Sequence, residues 1–262
     1  MRKYDFISAL AKETAAEVVK NREEWMSYLT TAARLYKYPF REQLLIYAQR
    51  PDATACATIA LWNERMHCWV NKGAKGIALL DEDEAHGKRL KYVFDVSQTN
   101  AEPQPAKSFD HSPKALVKAM LNATALNKSA VDELPINNST AYFDDKSKTL
   151  MIKRHSETLA MFKDIARELS LAEIANNSDE YNRTECIPSA VCASYMLCEK
   201  YGIDNSDINV ASAKTMWNGK ENKDVRTMLT MANDSVYSVS KDIYVEMNKA
   251  KDKEPKTQEQ TR

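Results

Sequence analysis

The stretch Tyr38-Pro39-Phe40-Arg41-Glu42-Gln43-Leu44-Leu45-Ile46-Tyr47-Ala48-Gln49-Arg50-Pro51-Asp52-Ala53-Thr54-Ala55-Cys56-Ala57-Thr58-Ile59 is where the chain changes texture from helix to strand. Upstream, Phe6, Leu10 and Val18 mark one helical segment, and Trp25, Leu29, Ala32, Ala33 and Tyr36 give the spacing of a second. Pro39 turns its preceding residue away from helix and so separates that segment from the run Glu42 to Tyr47. Downstream, Ala53 to Ile59 and Lys91 to Val96 are rich in Thr, Val and aromatic residues, which predicts a small sheet between Ala53 and Phe94. The class these textures predict is α+β: N-terminal helices with a small sheet, then a mostly helical region carrying a β-hairpin.

The second region is predicted to begin with a helix from Pro113 to about Leu126, followed by the hairpin Ala141-Tyr142-Phe143 and Thr149-Leu150-Met151-Ile152 around a polar turn. Helices are expected from about Ser156 to Ala175, from Arg183 to Tyr201 with Gly202 closing it, and from about Glu221 to Lys249. Pro103, Pro105 and Pro113 punctuate an aperiodic stretch. The expected division is therefore a domain over 1–96, a linker over 97–112, a domain over 113–250 and a disordered tail over 251–262.

At 262 residues, 44% hydrophobic and 28% charged, the composition is that of a globular protein. Its five glycines never cluster, so neither a P-loop nor a dinucleotide fold has the residues to form. Lys plus Arg and Asp plus Glu number 37 each, so no net charge draws polyanions and any nucleic-acid surface must be a local patch. No run approaches the roughly 18 apolar residues of a membrane span, and an amphipathic helix follows the start; the expectation is a cytoplasmic protein without a membrane partner. Cys186, Cys192 and Cys198 recur at an interval that turns them by about 600 degrees on a helix, so they read as buried core thiols rather than a metal cluster.

Local chemistry concentrates in the first region, where Arg50, Arg65, Lys72 and Lys75 are interleaved with Trp62 and Trp69, and acids are few. Cations could track phosphates while bases stack on the rings. Composition alone favours the other reading, in which the tryptophans are core residues of the small sheet and the cations solvate its edge. These six side chains form the candidate DNA-binding set.

The run from Tyr38 to Thr54, then Leu61-Trp62-Asn63, then Val70-Asn71-Lys72-Gly73-Ala74-Lys75-Gly76-Ile77, resembles the N-terminal domain of the ArdC/LtrC-like antirestriction proteins of plasmids and conjugative elements. The likeness is dense over about residues 22 to 96, with Glu42 standing where many relatives carry Asn. It implies a module that binds single-stranded DNA, followed by a zinc-metallopeptidase-like domain. In that second domain the resemblance places Arg167 and Leu171 where two zinc-binding histidines are expected, Glu168 at the general base, and Val191 at about the third ligand. Glu185 alone cannot complete a four-coordinate zinc site, and without metal a lone Glu168 has no activated water. Glu168 then reads as a surface carboxylate paired with neighbours of Arg167 or with Lys163.

The expected function is a non-enzymatic DNA-binding accessory or antirestriction protein of a mobile element, with no catalytic residue, metal or cofactor. The alternatives are an inhibitor that docks on a host defence nuclease through the degenerate domain, and an enzyme with an unrecognised site, such as Cys186 with His155.

Overall fold

The computed structural model describes residues 2–20, 22–83, 87–101, 111–210 and 222–253. Helices α1 (Lys3–Val18), α2 (Arg22–Arg34) and α3 (Phe40–Gln49) lead into a three-stranded sheet of β1 (Cys56–Ala57), β2 (Ile77–Asp83) and β3 (Gly87–Asp95), with α4 (Ile59–Met66) between β1 and β2. The sheet order is β1-β3-β2, antiparallel throughout. Then come α5 (Pro113–Ala123), β4 (Asn127–Val131), β5 (Ala141–Asp144), β6 (Thr149–Lys153), α6 (Thr158–Asn176), α7 (Arg183–Tyr201) and α8 (Asn222–Lys253). The α+β class and the β5–β6 hairpin agree with expectation. Strand β4 was not expected: it joins β6 in parallel and completes a second sheet ordered β4-β6-β5.

Local chemistry sets the helix ends. Ser112 accepts the Ala115 N–H with Pro113 in the first turn of α5, and Asn182 accepts the N–H groups of Thr184 and Glu185 at the start of α7. Gly202 closes α7 at φ 67, a left-handed conformation that costs a residue with a Cβ. Within α7, Cys186, Cys192 and Cys198 are free and buried, as read from their spacing.

Three expectations are corrected. The strand expected over Ala53 to Ile59 shrinks to Cys56–Ala57, because the Thr58 side chain accepts the Leu61 N–H and starts a helix at Ile59. Ordered structure does not stop at 96: Val96–Gln98 form a 3-10 turn capped by Asp95, and Val70 bridges Thr99. Helix α8 continues through Lys251, Asp252 and Lys253, so the expected tail cannot begin at 251; residues 254–262 lie outside the described residues.

The core also crosses the expected domain boundary. One apolar cluster unites Trp25, Tyr28 and Leu29 of α2, Phe40, Leu44 and Tyr47 of α3, Leu116 of α5, Phe162 and Ile165 of α6, Met196 of α7 and Val236 of α8. A second holds Leu45 and Ile46 of α3 with Ile7, Ile77, Leu79 and Val93. Helix α3 is thus buried on two faces, one against the sheet and one against the helices of the second region. Gln43, at 1% exposure, supplies the polar tie: its Nε2 donates to Leu35 O and to Asn233 Oδ1 on α8, and it accepts from Tyr28 Oη. A buried amide satisfied by partners from both regions fixes their register.

Candidate nucleic-acid interface

The motif that carries the family resemblance is largely framework. Gln49 docks α3 on the sheet through paired bonds, its Nε2 donating to Ala78 O and its Oε1 accepting Ala78 N–H, both at 2.9 Å. Tyr47 Oη donates to Glu24 at 3.0 Å, Thr31 Oγ1 donates to Pro51 O, and Ala53 is fully buried. Asp95 is a hub: it accepts the N–H groups of Thr54, Ala55 and Ser97 and the Ser97 hydroxyl. Those donors hold its carboxyl below the ordinary carboxylate range although burial acts against them. Arg50 is drawn into this hub, donating to Ser97 Oγ at 3.0 Å and lying 3.9 Å from Asp95. Glu42 pairs with Lys91 of β3 at 2.6 Å.

The two tryptophans differ sharply. Trp62 on α4 is 4% exposed, packs with Ala57 and Phe94, and donates its Nε1–H to Phe94 O at 2.9 Å. Trp69 is 58% exposed. Its backbone is held, with the N–H donating to Asn100 Oδ1 at 2.7 Å and the carbonyl accepting from Asn100 N–H at 3.0 Å.

The segment from Trp69 to Gly76 is a loop fixed by its backbone that presents exposed side chains. Asn71 N–H donates to Gln98 O, Gln98 Nε2 donates to Lys75 O, and Ala74 N–H closes a turn on Asn71 O. Gly73 sits at φ 86 with open space around it, and Gly76 lies against Phe94 and Tyr92, where an added Cβ would come within 3.0 Å of the Phe94 ring. Lys72 and Lys75 are exposed on this loop, and Arg65 is exposed one turn of chain before it. Among the described residues none of these three has a carboxylate partner. Of the six candidates, then, Trp69, Lys72 and Lys75 share one surface loop, Arg65 adjoins it, Arg50 lies between the carboxylates of Asp52 and Asp95, and Trp62 lies in the core. Ile59, Leu61 and Met66, exposed on α4, add apolar surface that composition had not singled out.

In the second region Glu168 contradicts the surface reading. It is fully buried: its carboxylate accepts the Phe143 N–H at 2.9 Å, Arg183 Nη2 at 2.8 Å and Arg167 Nε at 3.2 Å. Arg167 also reaches Ser139 Oγ and Asp164, while Arg183 stacks over the Tyr142 ring. Lys163 turns elsewhere, to Asp207. Leu171 is buried beside Phe143, and among the described residues no three His, Cys, Asp or Glu side chains are placed to hold a metal ion. The residues at the positions the resemblance assigns to metal ligands do not fit one. Burial pushes the Cys186 thiol up, opposite to what a nucleophile needs, and His155 is exposed at the turn before α6.

The fold defines the class, an α+β architecture like that of a solved antirestriction protein. Among similar solved structures is the Mn(II)-bound crystal structure of the antirestriction protein ArdC from plasmid R388, with a TM-score of 0.53 at 14% identity over 93% of this chain and 98% of that one. The metal-free structure of that protein gives 0.44 at 16% identity over 79% of this chain and 86% of that one. No family model and no curated protein matches in sequence. No helix among the described residues is long and apolar enough to cross a membrane.

Proposed function

We propose that this chain is a non-enzymatic protein that binds single-stranded DNA and serves an antirestriction or other anti-defence role for a conjugative or other mobile element. The observation that carries this reading is the anchored loop from Trp69 to Gly76, which offers an exposed ring and two cations that have no carboxylate partner among the described residues. A ring with cations beside it suits stacked bases and their phosphates with little demand on sequence. The fold shared with an antirestriction protein supports the biological role.

The second region acts as scaffold. Glu168 is saturated by three donors and shielded from water, so it is not available as a base, and no cofactor enters the proposal. The affinity of Trp69→Ala for an unstructured oligonucleotide checks the reading. We expect a loss of about 1–3 kcal/mol in binding free energy, with the melting temperature unchanged because the ring is exposed. Unchanged affinity would remove Trp69 from the interface.

A further inference from the structure

A second cationic and aromatic cluster lies where the turn after α2, the end of α7 and the middle of α8 meet. Lys200, in the last turn of α7, places its ammonium 4.5 Å from the Tyr36 ring centroid and 4.4 Å from that of Tyr201. Lys37 sits over the same Tyr36 ring at 5.8 Å. The Tyr237 ring approaches Tyr36 with centroids 6.5 Å apart, and Tyr237 and Tyr244 are 47% and 52% exposed.

What the cluster lacks is a counter-charge. Among the described residues neither lysine has a carboxylate within ion-pair reach. On α7, Glu199 is occupied by Tyr195 Oη and Asn205 Nδ2. On α8, Glu246 is occupied by Asn122 and Lys249, and Asp242 lines a different cleft with Glu173. The other titratable groups around the pair are the hydroxyls of Tyr36 and Tyr201, both pushed above the ordinary tyrosine range by burial, those of Tyr237 and Tyr244, and the His111 ring packed edge-on against Tyr201. Two ammonium groups held around one ring, one of them half-buried, repel each other, and an anion between them removes that repulsion. The flat exposed rings beside them are what a base would stack on.

We propose that Lys37, Lys200, Tyr36 and Tyr237 form a binding site for a nucleoside phosphate, the lysines meeting the phosphate and the tyrosines the base. The site is separate from the loop of Trp69, and it does not depend on the DNA-binding reading of that loop. Desolvation and the neighbouring Lys37 lower the Lys200 amine to about 8, so the free site loses its proton only above neutrality. A bound phosphate favours the protonated amine and raises that value. Affinity is therefore highest between the phosphate's second ionisation, about 6, and about 8, and falls as pH rises through the raised value of the complex.

The test uses the full chain and two probes, inorganic phosphate and deoxyadenosine 5′-monophosphate, with the lysine Nζ resonances followed by NMR across pH. Lys200 should titrate near 8 alone and upward with saturating nucleotide. Nucleotide affinity should drop about tenfold in Lys37→Gln and in Lys200→Gln, and Tyr237→Ala should erase the preference for nucleotide over phosphate. Lys72→Ala/Lys75→Ala should bind the mononucleotide like the wild type. Equal affinity for phosphate and nucleotide in the wild type would overturn the nucleoside assignment. A Lys200 titration unmoved by millimolar concentrations of either probe would overturn the site.

Discussion

Glu168→Ala is expected to lower the free energy of unfolding by about 3–5 kcal/mol, because it leaves two guanidinium groups facing each other without their shared carboxylate. The substitution also strips the Phe143 N–H of its acceptor inside the protein, a further desolvation penalty. The carboxylate joins α6, α7 and β5 at one point, so the loss should appear as a lower urea midpoint without a change in slope. Glu168→Gln keeps an acceptor for Phe143 and should cost less. If Glu168→Ala unfolds at the wild-type urea concentration, the cross-brace is not what holds these elements, and a role for Glu168 outside stability regains weight.

Trp62→Ala should be of similar size, about 3–5 kcal/mol, since it empties the space between Ala57 and Phe94 and abandons the bond to Phe94 O. Trp69→Ala should change stability by no more than about 0.5 kcal/mol, as surface substitutions do. The pair of denaturation curves separates core from interface. Equal destabilisation by both would place Trp69 in the core and leave only the cationic half of the interface.

What was legible in the sequence follows from where each signal is local. The spacing from Arg183 to Tyr201, with Asn182 before it and Gly202 after it, marks α7 because caps and periodicity are contained in one segment. Helix α3 was visible, but its two buried faces were not, since Leu44 and Tyr47 answer to one cluster and Leu45 and Ile46 to another. That double burial is why a boundary drawn from the proline-rich stretch divides the chain without dividing the core. Strand β4 is polar in sequence and is held by pairing with β6, a partner far along the chain.

The candidate site was partly legible for the same reason. Lys72, Gly73, Lys75 and Trp69 lie close together in sequence and so stay together in space. The strand expected over Ala53 to Ile59 was drawn too long because β-rich composition hid the cap at Thr58, although Thr before Ile59-Ala60-Leu61 is itself a helix-start signal. The partners of Glu168 come from Phe143 and Arg183, which no local pattern connects to it. One signal was available: Glu168 falls on the apolar stripe of Ile165, Leu169 and Ala172, which places it inward.

The most direct test of the DNA-binding reading is the salt dependence of single-strand affinity in the full chain, measured for the wild type and for Lys72→Ala/Lys75→Ala. Each phosphate contact releases a counterion, so the wild type should bind at low salt, and the plot of log affinity against log salt should flatten by roughly one to two units in the variant. An unchanged slope in the variant, or no wild-type binding at low salt, would contradict the assignment of this loop to single-stranded DNA.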